Sequence, residues 1–266
     1  MGVTSMASFE DELKRIERPV RRLTNLALFP KKVEVRGVPN FVAEGPNIIV
    51  GNHIGSHKDV GLLFRIVPRP IFFTANKMIF DRDDFSSLVR LHLQRHLKGF
   101  GPVVHLLLNP FYALVVNFIS SHIANVGSIP VDMDGGRAAA LRKCEAYLKQ
   151  GRAVVALQGA GRVDPKDPNP YVKPFLRGAS VMAWHLLKED GIDVPVTPLA
   201  IFGTHLPFPI PGTIRVNVGA PMFIRDHLAP DAAGTIERFR AALQGRVTEL
   251  LMEIIRRDSA GPEKTR

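Results

Sequence analysis

Six short runs rich in β-branched residues, at 32–35, 48–50, 70–74, 154–157, 196–201 and 214–218, alternate with stretches whose apolar residues recur every three or four positions. Strands buried on both faces are written as such unbroken apolar runs, and helical crossovers between them call for a largely parallel sheet. The alternation predicts an α/β fold: one domain over 31–257 with a mostly parallel central sheet flanked by helices, and no internal repeat. A chain of 266 residues with 45% hydrophobic content has the apolar material for such a core, which excludes disorder over most of its length. The last helical pattern, 235–257, places Ile236, Phe239, Leu243, Val247, Leu250 and Ile254 on one face and closes the fold. Residues 258–266 then read as a flexible tail.

Residues 1–30 form a separate amphipathic segment. Ser8 and Asp11 have capping-box spacing, and Phe9, Leu13, Ile16, Val20 and Leu23 recur at intervals of three and four, with Pro19 kinking the helix. Lys14, Arg15, Arg18, Arg21 and Arg22 surround that stripe, as in a helix lying in the interface of an anionic bilayer; an ordinary helix packing its stripe on the domain is the other reading. Met1 to Ala7 hold no basic n-region and no long apolar run follows, so no signal peptide is expected. A second apolar stretch, 99–131, contains no Lys, Arg, Asp or Glu. Asn109-Pro110 interrupts it, so it reads as two short helices, buried or dipping into one leaflet, rather than one span.

The formal net charge of +10, from 35 Lys and Arg against 25 Asp and Glu, implies an anionic partner. The basic residues cluster beside apolar stretches, not among the aromatic platforms that single-stranded nucleic acid stacks on. A membrane surface is the expected partner and no nucleic acid is. The single cysteine, Cys144, lies in a helical stretch over 137–150 as a small buried residue, giving neither a disulfide framework nor a metal cluster. No metal or cofactor is expected, and a reducing, cytoplasmic setting follows. The chain is placed at the cytoplasmic face of a membrane, peripheral or monotopic.

Chemistry concentrates in Gly51-Asn52-His53-Ile54-Gly55-Ser56-His57-Lys58-Asp59, directly after the apolar run Asn47-Ile48-Ile49-Val50. A strand ending in a turn that bears His can present the ring in a cleft, while a nearby carboxylate holds one ring nitrogen protonated and leaves the other to accept a proton. Turn residues bonding their own backbone would give the same sequence, so the later blocks decide. These are Val126-Gly127-Ser128-Ile129-Pro130-Val131-Asp132, Asp134-Gly135-Gly136-Arg137, Ala153-Val154-Val155-Ala156-Leu157-Gln158-Gly159-Ala160-Gly161-Arg162, Val172-Lys173-Pro174-Phe175-Leu176-Arg177-Gly178-Ala179 and Val194-Pro195-Val196-Thr197-Pro198-Leu199-Ala200-Ile201.

In this order the blocks resemble the glycerolipid acyltransferase family, best known through the lysophosphatidate (1-acylglycerol-3-phosphate) acyltransferases, over about 33–224. The chain departs from the family's pattern in three places. His53 and Asp59 have five residues between them where the family has four, as though Gly55 were inserted, a residue able to absorb a bulge or a positive φ. Met133 replaces an Arg, and Gln158-Gly159-Ala160-Gly161-Arg162 replaces Glu-Gly-Thr-Arg.

The resemblance implies an enzyme that moves a fatty acyl group from acyl-CoA or acyl carrier protein, as co-substrate, to a hydroxyl of a lysophospholipid or glycerolipid acceptor. His53 is then the general base and Asp59 its orienting acid, with His57 an alternative base and Ser56 a turn residue. No Gly-x-Ser-x-Gly elbow suggests a serine hydrolase. An acceptor phosphate would meet Arg162 first, with Gly159 and Gln158 beside it, and Arg137, Lys173 and Arg177 as further cations. Loss of the family's Glu together with its Arg suggests a co-varied pair lost without emptying the site. The departures also leave an alternative: a member without turnover that binds lipid or acyl thioester at the membrane surface.

Overall fold

The computed structural model describes residues 22, 24, 25, 28–76, 128–131, 137–206 and 210–260. The chain divides into two compact units, Arg18–Ile71 with Cys144–Arg266, and Met1–Glu17 with Phe72–Lys143. The larger unit carries five strands: β1 (Lys32–Arg36), β2 (Asn47–Asn52), β5 (Ala153–Gln158), β6 (Val196–Phe202) and β7 (Thr213–Val218). Their order across the sheet is β1-β7-β6-β2-β5. The pairs β1/β7, β6/β2 and β2/β5 are parallel, and β6/β7 is antiparallel. The smaller unit holds a parallel pair, β3 (Ile71–Asn76, all but its first residue) with β4 (Ser128–Val131). The fold is thus α/β with a mostly parallel sheet, as the alternating runs predict.

β2 is an interior strand of the larger unit, and all six of its residues are buried between β5 and β6. Ile48, Ile49 and Val50 supply the apolar middle of β2, while buried Asn residues close both ends. Asn47 Nδ2 donates to the Pro195 carbonyl and to Thr197 Oγ1, both at 2.9 Å. Asn52 Nδ2 donates to the Ile201 carbonyl at 2.9 Å and its Oδ1 accepts the Ile201 N–H at 2.8 Å. These buried amide donors fix the register of β2 against β6, because a slip would strand both of them.

The described α-helices include α1 (His57–Ile66), α2 (Arg137–Lys149), α3 (Gly178–Asp190) and α4 (Ala232–Ala260). α1 stops because Val67 precedes Pro68 and takes extended angles, φ −78° and ψ 124°. α4 begins after Asp231, whose Oδ1 accepts the Gly234 N–H at 2.6 Å. Its Phe239, Leu243, Val247, Leu250 and Ile254 are buried against β6, β7 and α3, and Ile236 is half-buried. Cys144 is buried in α2. Residues 258–260, expected in a tail, continue α4.

The amphipathic pattern over 1–21 and the interrupted apolar stretch up to residue 127 lie outside the described residues; the end of that stretch, Ser128–Val131, is strand β4. Among the described residues no helix is long and apolar enough to cross a membrane.

Candidate active site

Three neighbouring parallel strands, β5, β2 and β6, deliver their carboxyl ends to one place. Asn52, the last residue of β2, pairs in register with Gln158, the last of β5, and Gly51 pairs with Leu199 of β6. Open parallel sheets present ligand sites at such ends, where the chain leaves each strand as a loop. Here the departing segments are His53 to Ser56, Gly159 to Gly161, and Gly203 to His205.

Asn52 anchors the first segment through its bonds to Ile201 and a further one from Nδ2 to the Tyr171 carbonyl at 3.1 Å. The His53 main chain is then clamped: its N–H donates to the Gln158 carbonyl at 2.8 Å and its own carbonyl accepts the Gly161 N–H at 3.2 Å. Gly161 has φ 69° and Gly159 has φ 131°, backbone that L side chains rarely adopt. A Cβ on Gly161 would lie 3.1 Å from His53 Nε2, which puts the outer edge of the imidazole against this loop.

The inner edge meets Asp59. Nδ1 of His53 lies 2.9 Å from Asp59 Oδ2, and the same oxygen accepts the N–H groups of Ile54 at 2.9 Å and Gly55 at 2.7 Å. The carboxylate is fully buried, whereas the His53 side chain keeps 22% exposure. Asp59 also sits in the first turn of α1, where the helix's free N–H groups favour a negative charge. A carboxylate only accepts, so Nδ1 carries the proton and the lone pair is left on Nε2, towards the glycine loop. The five-residue interval therefore does not keep the pair apart. The extra residue is taken up in the turn Ile54-Gly55-Ser56 before α1.

That turn corrects one expectation. The positive φ falls on Ser56 (φ 53°, ψ −128°) and not on Gly55. Gly55 is needed for space instead: a Cβ there would lie 2.3 Å from Thr204 Cβ and 2.8 Å from Asp59 Oδ1. A serine held at positive φ costs of order 1–3 kcal/mol, which the surrounding bonds must over-determine. Among them, the Lys58 N–H donates to the Gly55 carbonyl and the Asp59 N–H to the Ser56 carbonyl, both at 3.1 Å. His57, the alternative base, is the exposed first residue of α1, and the carboxylate is engaged by His53.

Sequence reasoning misses the groups behind the pair. Lys58 Nζ donates to the Leu206 carbonyl at 2.7 Å and Lys31 Nζ to the Ile210 carbonyl at 2.6 Å. Burial pushes both ammonium pKa values down; at Lys58 the charge of Lys31 adds to this and Asp59 opposes it. His205 packs against the rings of Tyr171 and Phe202, at 5.4 and 5.2 Å between centroids, and those two rings meet each other at 5.3 Å. Burial and then the charge of Lys58 hold its imidazole below the usual histidine range. Lys58 stands inside the His53–Asp59 segment, but Lys31 and His205 come from parts of the chain far from it and carry no motif, so only the fold could bring them to it.

No family model matches the chain, and no curated protein matches it in sequence. It is similar in fold to the crystal structure of the 1-acyl-sn-glycerophosphate (LPA) acyltransferase PlsC from Thermotoga maritima. The likeness covers 92% of this chain and 81% of that one, with 19% identity and a TM-score of 0.55. The fold is glycerolipid acyltransferase-like. At that identity the likeness speaks for the fold alone, and the chemistry rests on the geometry above.

The expected acceptor cations do not all converge on the loop. Arg162 follows it directly, exposed and without an ion pair among the described residues. Lys173 is paired with Asp167, and its ammonium holds that carboxyl below the ordinary aspartate range. Arg177, 68% exposed just before α3, lies 3.3 Å from Glu237. Arg137 opens α2, with its side chain outside the described residues, as is Met133. Gln158 is buried with both ends of its amide on main chain: Oε1 accepts the Leu176 N–H at 2.8 Å and Nε2 donates to the Ala156 carbonyl at 3.2 Å. Its amide braces the loop. Gly159 contributes backbone alone, its exposed position opening the turn.

Proposed function

We propose that this chain is an O-acyltransferase moving a fatty acyl group from acyl-CoA or acyl carrier protein to a hydroxyl of a lysophospholipid or related glycerolipid. The observation that carries this reading is the 2.9 Å contact between His53 Nδ1 and the fully buried Asp59, with Nε2 turned to the glycine loop. The acylglycerophosphate acyltransferase-like fold supports the same class.

In this mechanism the acceptor hydroxyl lies against Nε2. As its oxygen attacks the thioester carbonyl carbon, Nε2 takes the hydroxyl proton and Asp59 stabilises the imidazolium. The tetrahedral intermediate collapses with loss of the C–S bond, and the proton passes from the imidazolium to the departing thiolate. No covalent acyl-enzyme forms. Arg162 and the main-chain N–H groups of Gly159 and Ala160 offer the acceptor's phosphate a cation and an anion-binding turn, the Gly161 N–H being held by the His53 carbonyl. Lys173 and Arg177 are already paired with Asp167 and Glu237, so their charge is largely balanced. In this reading the residues act at the cytoplasmic face of a membrane, where a lysophospholipid acceptor partitions.

The test is thiol release from long-chain acyl-CoA by the purified protein with a panel of lysophospholipids. The expected result is acceptor-dependent release that falls about 10²–10⁴-fold in His53→Ala, the range general bases contribute. Asp59→Asn falls as well, because an amide in that position favours the wrong imidazole tautomer. Release that persists in His53→Ala refutes the mechanism. Absence of release with every acceptor, while acyl-CoA or lipid still binds, makes the chain a lipid-binding member of this fold.

A further inference from the structure

All three bonds that Asp59 accepts fall on Oδ2. Oδ1 of the same fully buried carboxylate has no protein partner. A buried carboxylate oxygen left without a donor is costly, about 1–3 kcal/mol or more. A second such oxygen stands across from it. Thr204, two residues past the end of β6, is 0% exposed, and its Oγ1 also has no partner. The two oxygens face the same point, the place where Gly55 lacks a Cβ: 2.4 Å from it to Thr204 Oγ1 and 2.8 Å to Asp59 Oδ1. One is acceptor-only and the other a hydroxyl with a proton to give.

We propose that Thr204 is a positioning residue for the His53–Asp59 pair, its hydroxyl donating to Asp59 Oδ1 across the close approach that Gly55, lacking a Cβ, permits. The proposal rests on the acyl-transfer reading of that pair. Thr204 touches neither substrate nor base; it acts by dispersing the charge of the carboxylate that orients the base. The glycine that lengthens the His53 to Asp59 interval thereby acquires a role, because any side chain there would fill the contact.

The sign of the effect follows from the charge. Without the hydroxyl, the Asp59 charge is more concentrated and stabilises the His53 imidazolium more strongly, so the neutral base is populated only at higher pH. The other charged or titratable groups around the pair are Lys58 and His57 on α1, His205 beside Thr204, and Lys31, and the substitutions leave all of them in place.

The experiment compares Thr204→Val, Thr204→Ala and Thr204→Ser with the unsubstituted protein. It reads the acyl-transfer rate against pH and the Nδ1–H proton resonance of His53 by NMR. In both variants lacking the hydroxyl we expect kcat to fall roughly ten- to a hundred-fold, the size of a small misplacement at a reacting centre. KM changes little, the acid limb moves to higher pH and the Nδ1–H resonance moves; Thr204→Ser restores all of these. Rate profiles and resonance unchanged in Thr204→Val and Thr204→Ala overturn the proposal. So does loss of folding in all three variants, which would make Thr204 a packing residue. Turnover retained in His53→Ala would instead sink the acyl-transfer mechanism, and the resonance would still decide the place of Thr204.

Discussion

Gly55 shows how little a residue's sequence neighbourhood says about its work. His53 and Asp59 are legible in sequence because imidazole, carboxylate and a preceding apolar run stand together, and the structure places them 2.9 Å apart. The reason for the glycine between them is not legible, since it is set by Thr204, which lies at the end of another strand. The sequence likewise does not announce that Ser56, and not its glycine neighbour, carries φ 53°. Space at Gly55 leads to a prediction. With Thr204 Cβ only 2.3 Å from a new Cβ and the atoms around it buried, Gly55→Ala must displace the loop after β6 or the carboxylate of Asp59. We expect destabilisation of about 1–3 kcal/mol, as for other overpacked cores, read from urea unfolding. Thr204→Gly in the same chain should recover part of it as a non-additive term, because the two positions share one volume. Additive losses would mean that the clash is relieved elsewhere.

At the scale of elements, the strands are the most legible part, because β-branched runs buried on both faces leave a pattern that does not depend on partners. Residues 154–157 and 196–201 appear as β5 and β6 with one or two more residues each. β4 is not among those runs, since Pro130 sits inside its four residues; only the resemblance of the Ile129-Pro130-Val131 block marks a strand end there. Which strand pairs with which, and the reversal between β6 and β7, come from tertiary packing. The join of β5 to its loop carries a second prediction. Gln158 holds the loop by accepting from Leu176 and donating to Ala156, two roles that a carboxylate cannot both fill. Gln158→Glu, although it restores the residue usual in the resembling family, would set a carboxylate oxygen against the Ala156 carbonyl. It should cost about 1–3 kcal/mol near neutral pH. Protonating the new carboxyl restores a donor, so the deficit relative to the unsubstituted protein should shrink as pH falls towards about 4. A variant as stable as the parent at neutral pH would show that the loop is held by its glycines alone, and the co-varied pair would again be a live explanation for Gln158 and Met133.

For the whole molecule, the decisive quantity is a charge of +10 carried alongside exposed apolar side chains. In the larger unit Phe29, Leu176 and Ile210 are 61%, 74% and 50% exposed, and the exposed Arg162 and Arg177 share the chain segment around Leu176. Neither feature alone distinguishes partners, because a positive field attracts any polyanion and single exposed apolar residues are ordinary. Together with the apolar stripe and surrounding cations that the sequence writes over residues 8–23, they are what the proposed anionic lipid surface would engage, charge bringing the protein in and apolar side chains holding it. The two contributions separate with salt, since at about 1 M the Debye length drops to about 3 Å and only the apolar part survives. Flotation with vesicles rich in anionic phospholipid should therefore recover most of the protein at low salt and several-fold less at high salt, while neutral vesicles recover little at either. A variant lacking residues 1–21 should lose the salt-resistant fraction if the stripe inserts, and keep it if the stripe packs on the protein. Equal recovery on neutral and anionic vesicles would remove charge as the steering force. Binding to DNA that outcompetes anionic vesicles at the same salt would move the partner to nucleic acid.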